Sequence, residues 1–287
     1  MEQWRVGRSV AANLELAESR EWLVTNGRGG YASGTIAGSL TRRYHGLLVA
    51  ALTPPVERRL VVAKCEIDVL YAGETYALGT NRWTSGDVAP EGYKRCESFA
   101  LEDGVPTWTY ACADALIEQS IAMPPDRDAT ALALRIVRAD APVTLRVRVL
   151  AGDRDHHGGS LPDPSSFIVH CADGRASVDL PACRRTLSVT APGAAFHAAS
   201  ARYAGFALAR EAERGFTAVD DYAHVLTFTQ TVRAGECGGC VLAVDGVDAG
   251  DAAAIVAAAR VAYRARAATQ RTALRGALAA AADAFIV

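Results

Sequence analysis

Thr144-Leu145-Arg146-Val147-Arg148-Val149-Leu150 sets an aliphatic side chain at every second position and a polar or charged one between. A period of two marks a strand with one face buried and the other wet. Residues 130–137 alternate in the same way, set off by Asp140-Ala141-Pro142. Residues 60–71 form a long β-branched run closed by Ala72-Gly73-Glu74, a hairpin signal. Phe167-Ile168-Val169-His170 and Ala176-Ser177-Val178-Asp179 flank Asp173-Gly174, the strongest short hairpin cue. Residues 225–232 and 239–244 close the series. With hardly a helical pattern between them, these strands predict a mainly β fold, a large antiparallel β-sandwich of the supersandwich kind. The character changes near Asp248. Residues 251–287 are rich in Ala and Arg, and Leu274, Leu278, Ala281 and Phe285 recur at helical spacing, which predicts one or two helices with an apolar stripe. The expected division is a sandwich over 1–247 and a helical segment over 248–287.

Composition narrows the function classes. Half of the 287 residues are hydrophobic, enough for a sizeable core. The net charge is −2 with acids and bases interspersed, so no basic stripe offers a nucleic-acid footprint or an attraction to an acidic membrane surface. Met1-Glu2-Gln3-Trp4-Arg5 lacks an apolar leader, and no uncharged run approaches the ~18 residues of a membrane span. The seven cysteines are odd in number and scattered, which argues for reduced thiols and a cytoplasmic location.

The richest chemistry lies in Glu21-Trp22-Leu23-Val24-Thr25-Asn26-Gly27-Arg28-Gly29-Gly30-Tyr31-Ala32-Ser33-Gly34-Thr35 and in Thr41-Arg42-Arg43-Tyr44-His45-Gly46. Glycines allow close approach, while Tyr and Arg present flat faces and fixed donors, a mixture that suits a polar ring such as a sugar. Two phosphate-loop readings fail. Gly27-Arg28-Gly29-Gly30-Tyr31-Ala32 fits a dinucleotide fingerprint, but the following Gly34, Thr35, Gly38 and Ser39 make a poor helix, and no acid follows until Glu57. The spacing from Gly29 to Gly34 fits a Walker loop, but Thr35 follows without the required Lys.

These two stretches resemble the start of the N-terminal domain of bacterial and archaeal glycogen debranching enzymes. Asn81-Arg82-Trp83 with Pro90-Glu91-Gly92-Tyr93, Pro106-Thr107-Trp108-Thr109-Tyr110, Leu150-Ala151-Gly152-Asp153-Arg154-Asp155-His156-His157, and Glu211-Ala212-Glu213-Arg214-Gly215 with Asp220-Asp221-Tyr222 resemble further segments of it. The resemblance runs over residues of about 18 to 285 and weakens between Ser160 and Ala201. It implies a non-catalytic β-sandwich that shapes one wall of an α-glucan cleft (glycogen or maltooligosaccharide) and packs on an (α/α)6 barrel carrying the glucosidase carboxylates. That barrel would follow residues 248–287 and is not in this sequence. The parent reaction would be cofactor-free hydrolysis of α-1,6 branch stubs. Candidate glucan contacts are Asn26, Tyr31, Arg42, Arg43, Tyr44, His45, Trp83, Tyr93 and His156. Trp22 reads as core, and of Arg42 and Arg43 one is expected to pair with an internal carboxylate while the other faces outward.

Other constellations read as structural. Asp155-His156-His157 lacks a third metal ligand at a usual spacing, and Arg154 is expected to pair with Asp155. Cys237-Gly238-Gly239-Cys240 reads as a glycine turn between strands, not a redox motif. No spacing nominates a catalytic carboxylate pair; Glu213, Asp220 and Asp221 are expected to bridge Arg210 and Arg214. No metal and no catalytic residue is assigned. Rival readings are an autonomous carbohydrate-binding module and a sugar mutarotase or epimerase using His45 or the Asp155-His156-His157 run as acid or base. The apolar C-terminal stripe also suggests a homodimer.

Overall fold

A computed structural model of the protein describes residues 4–159, 161–246, 250–269 and 273–283. In chain order its strands are β1 (Trp4–Gly7), β2 (Glu21–Thr25), β3 (Tyr31–Thr35), β4 (Gly46–Thr53), β5 (Val56–Tyr71), β6 (Glu74–Ala77), β7 (Thr80–Arg82), β8 (Val88–Glu91), β9 (Cys96–Glu102) and β10 (Val105–Cys112). They continue as β11 (Ala115–Ala122), β12 (Ala129–Arg138), β13 (Val143–Asp155), β14 (Val169–Ala172), β15 (Arg175–Leu180), β16 (Arg185–Thr190), β17 (Ala195–Ala207), β18 (Val219–Val232) and β19 (Cys237–Val244). Helices are short, α1 (Arg8–Ala11), α2 (Leu14–Glu18) and α3 (Ala209–Glu213), until α4 (Ala252–Ala268) and α5 (Ala273–Asp283) at the C-terminal end.

Two antiparallel sheets face each other. One has nine strands in the order β1-β9-β10-β11-β12-β19-β16-β15-β14; the other runs β17-β18-β13-β5-β4-β3-β2, with β6 paired to β5. The alternation in β13 sets the geometry. Val143, Leu145, Val147 and Val149 are fully buried between the sheets, while Arg146 and Arg148 point outward and share Asp68 of the neighbouring strand at 2.8 and 3.1 Å. Such cross-strand charge pairs fix register as well as adding stability. Trp22 lies in the core as its strand context predicts, edge-on to Trp108 at 5.5 Å, with its indole N–H donating to the Thr35 carbonyl. Asp173-Gly174 joins β14 to β15, although Phe167 and Ile168 precede the strand, because a 3-10 turn over Pro164–Ser166 intervenes.

Both sheets carry a third layer on their outer faces. On the nine-stranded sheet, Ala252, Ile255 and Val256 of α4 sit against Ala122, Ala131, Ala133 and Ala243, alanines small enough to let the helix approach. Arg260 then reaches Glu102 at 2.9 Å. α5 packs back along α4, with Gly276 against Ala267. Its Leu274 and Leu278 remain 70% and 61% exposed; Phe285 of the predicted stripe lies outside the described residues.

On the eight-stranded sheet the third layer is made of chain segments, residues 36–45, 78–84 and 208–216. They cover an apolar cluster of Leu40, Val49, Leu60, Leu150, Phe206, Leu208 and Tyr222. A buried polar net fastens the middle segment. Lys64 donates to the Gly38 and Thr80 carbonyls and to Asn81 Oδ1, and stands 2.9 Å from Glu66, which also accepts from Asn81 Nδ2. Gly79 is required there, since a Cβ would lie 1.9 Å from Glu66 Oε2. This double covering explains why residues 60–69 of β5 are buried without a break: both faces of the strand are packed.

The Cys237-Gly238-Gly239-Cys240 run is not a turn. It opens β19, paired in register with β12, and a Cβ on Gly239 would stand 2.0 Å from the Leu132 carbonyl oxygen. Glycine is there for strand contact. Among the described residues no helix is long and apolar enough to cross a membrane.

Candidate functional site

The loop layer on the eight-stranded sheet gathers most of the sequence-predicted residues. Its centre is a buried ion pair. Arg154, at the end of β13, meets Asp220 of β18 at 2.5 Å, with both side chains 1% exposed, and the Tyr222 hydroxyl donates to the same carboxylate oxygen. Burial pushes the Asp220 carboxyl up, opposed by the guanidinium and the hydroxyl. Arg154 also donates to backbone, from Nη2 to the Arg43 carbonyl at 2.9 Å and from Nη1 to the carbonyls of Asp155 and His156, while its buried Nε makes no hydrogen bond. One guanidinium therefore ties together two surface loops. The expected Arg154–Asp155 ion pair is absent; Arg154 contacts only the Asp155 carbonyl, and its charge is met from β18.

Those loops present an aromatic cluster. The Tyr44 hydroxyl is 3.0 Å from His157 Nδ1, and its ring lies 5.6 and 5.4 Å from His156 and His157. The two histidine rings sit 3.9 Å apart, on the same side because the chain has left the strand at Asp155. His156 Nδ1 donates to the Arg58 carbonyl, and burial with the neighbouring His157 lowers its pKa. Tyr31 approaches from below, its hydroxyl donating to the Tyr44 carbonyl at 3.0 Å; burial raises it to about 12. Arg43 lies across the loops, its guanidinium donating to the Thr217 carbonyl at 3.0 Å while its backbone N–H meets Glu211 Oε1. Tyr31, Arg43, Tyr44 and His156 are thus one group, joined by His157 and Arg58.

On the other side of the same loop, Arg42 Nε meets Glu21 Oε1 at 2.6 Å. This is the pairing expected of one member of the Arg42–Arg43 pair. His45 is 2% exposed; its Nδ1 accepts from the Thr41 N–H, which leaves Nε2 as the protonated nitrogen, 3.5 Å from Glu21. His45 and Arg42 together hold the Glu21 carboxyl at about 2.

The remaining candidates sit apart. Trp83 packs on Phe206 at 4.6 Å and donates to the Ala89 carbonyl. Tyr93 lies in the turn Gly92–Arg95, half-buried against the core between the sheets, with Lys94 above its ring at 5.9 Å. Asn26 is 1% exposed and accepts from the Arg28 and Gly30 N–H groups while donating to Arg127 O and Asp128 Oδ1. The glycines around it serve the packing of this hairpin on the next: a Cβ on Gly29, at φ +93, would lie 2.6 Å from the Pro55 carbonyl oxygen. A strand, not a helix, follows Gly30. The carboxylates are engaged singly. Glu213 meets Arg210 as expected, but Asp220 meets Arg154 and Asp221 meets Arg202, not Arg210 or Arg214. Among the described residues no three His, Cys, Asp or Glu side chains gather as a metal set. Sequence reasoning missed Arg58, Glu21 and Glu211; their partners lie 98, 21 and 168 positions away, beyond any local signal.

A two-sheet antiparallel sandwich with an arginine-, tyrosine- and histidine-bearing loop layer on one face is the class that fold and site define. The family model described as glycogen debranching enzyme N terminal matches residues 20–237, and the chain belongs to that family. No curated protein matches the chain. Among solved structures, a bacterial glucoamylase complexed with acarbose is similar over 84% of this chain, with a TM-score of 0.35 and 9% identity. This chain spans about a third of that one, 34% of its length.

Proposed function

We propose that this protein is the non-catalytic, glucan-facing sandwich of a cytoplasmic debranching enzyme, residues 1–247, with 248–287 leading toward an (α/α)6 helical domain that performs α-1,6 hydrolysis. Family membership supports the parent activity. The observation that carries the surface role is the layer of Arg43, Tyr44, His156 and His157, held by the buried Arg154–Asp220 pair. Flat rings beside fixed donors suit sugar rings and their hydroxyls. Trp83, packed on Phe206 in the same loop layer, extends this wall, while Tyr93 stands apart from it against the core between the sheets. Tyr31 and His45 brace it from within through the 41–45 loop, whereas Asn26 ties its own hairpin to Arg127 and Asp128. The non-catalytic reading rests on the three nominated carboxylates, each of which is paired with a different arginine, Glu213 with Arg210, Asp220 with Arg154 and Asp221 with Arg202; hydrolysis needs two acids flanking one bond, about 5–9.5 Å apart. The mutarotase reading loses His45 as its acid or base, since that residue is buried with both ring nitrogens engaged, and keeps only the Asp155-His156-His157 run.

The test is incubation of the chain with a branched limit dextrin alongside affinity electrophoresis in maltoheptaose. The expected result is no glucose release above a heat-killed control and weak, millimolar retardation that Tyr44→Ala reduces. Hydrolysis overturns the reading, and micromolar affinity moves it to an autonomous binding module.

A further inference from the structure

Beside the aromatic cluster, between the end of α2, the start of β2, the 41–45 loop and α3, lies an open cavity of about 430 Å³ lined by Ser19, Glu21, Arg42, Arg210, Glu213 and Arg214. α3 is tied to the loop by the Arg210 N–H donating to the Thr41 carbonyl, so the two walls are one unit. The size falls within the roughly 300–1,000 Å³ of small-molecule sites.

The lining is unusual in its charge. Each arginine already has a carboxylate: Arg42 has Glu21, Arg210 has Glu213, and Arg214 has Glu211 at 3.6 Å. A free anion would compete with those carboxylates, and a free cation with the guanidinium groups. A hydroxyl does neither, because it donates to a carboxylate oxygen and accepts from an N–H at once. Capacity for such bonds is left over. Arg42 is engaged through Nε, which leaves its terminal nitrogens, and both contacts to Glu21 fall on Oε1, which leaves Oε2. Arg214 is steadied over the Phe216 ring at 4.9 Å, so its fork is held rather than waving.

We propose that this cavity is a sugar pocket that takes one glucosyl unit of an α-glucan, bound by hydroxyl groups bridging the Glu21–Arg42 and Glu213–Arg214 sides. The assignment rests on the glucan-facing reading above and adds a pocket to its surface. It gives Glu21, Glu213 and Arg214 ligand contacts where their ion pairs alone would make them scaffold.

Saturation-transfer NMR on the full 287-residue chain tests it, with maltose, maltoheptaose and inorganic phosphate as separate probes. Glu213 has a side chain 58% exposed, so Glu213→Gln should leave the melting temperature in place; Arg214→Gln takes the cation from Glu211, 3% exposed, so Arg214→Lys, which keeps the charge and loses the fork, is the second variant. The expected result is saturable maltose binding that each substitution weakens about tenfold, the loss of one hydrogen bond to a charged group. Maltose binding untouched by both substitutions overturns the pocket, as does saturable binding of phosphate without maltose. If maltoheptaose binds and only Tyr44→Ala weakens it, the pocket falls and the glucan-facing reading stands. If neither sugar binds, both fall.

Discussion

Glu21 and Asp220 are both paired carboxylates, and their surroundings give them opposite behaviour. Glu21, with 36% of its side chain exposed, is held at about 2 by His45 and Arg42. A carboxyl whose folded value is depressed stabilises the protein above its unfolded value and loses that contribution as pH falls toward the folded one. Glu21→Gln should therefore cost under about 1 kcal/mol of stability at pH 7 for so exposed a pair, seen as a slightly lower melting temperature, with the gap to wild type closing as the pH drops from about 4.5 to about 2. Parallel thermal melts across that range check it. Asp220 is buried, so its removal strands Arg154. Asp220→Ala should cost about 3–5 kcal/mol in urea unfolding. The same substitution should release the loops that Arg154 holds, seen as faster amide exchange at Arg43 and His156. His156 runs the other way from Glu21: burial lowers it, so the unfolded chain takes up its proton first as pH falls. Acidification through its ordinary value near 6.5 costs stability, and His156→Gln should blunt that loss. The Arg154–Asp220 pair spans 66 positions, whereas Arg210 and Arg214 stand close to Asp220 in sequence. Nearness along the chain misled the reading; Trp22, by contrast, was legible because its apolar neighbours already spelled a strand.

At the scale of elements, alternation revealed β13 and β12, and turn residues revealed the β5–β6 and β14–β15 hairpins. The helices α1, α2 and α3 escaped because they have 4 or 5 residues, too few to show a 3.6-residue period. The β19 start was mistaken for a turn because glycine serves turns and close strand contact alike. The candidate site was half legible: its residue types stood out in the 41–45 loop and after β13, but the contacts that group them cross the whole chain. α4 was visible as helix but not as a docked one. Its Ile255 and Val256 are 7% and 6% exposed, so Ile255→Asp should undock it, with a loss of a few kcal/mol by calorimetry, on the order of a buried aliphatic side chain or more. α5 differs. Leu274 and Leu278 are open to water, and a two-fold dimer through that face would cover them. Sedimentation should show concentration-dependent association that Leu274→Ser with Leu278→Ser removes without shifting the melting temperature of the sandwich; a monomer at high concentration would rule that dimer out.

Across the whole molecule, stability comes from three packed cores, one between the sheets and a smaller one on each outer face. With no metal set among the described residues, a chelator should leave the melting temperature unchanged, and a drop restored by zinc would show a site overlooked. The loop layer has one more consequence, for covalent labelling. The chain contains two lysines, Lys64 and Lys94. Lys94 stands in solvent with 57% of its side chain exposed, whereas Lys64 has 9% exposed and is enclosed by Gly38, Thr80, Asn81 and Glu66. An amine-directed acylating reagent should tag Lys94 at once and leave Lys64 untouched for as long as the 78–84 segment stays seated. The rate at which Lys64 becomes acylated is then a clock for the lifting of that segment, readable by mass spectrometry of one peptide in the unmodified wild-type protein.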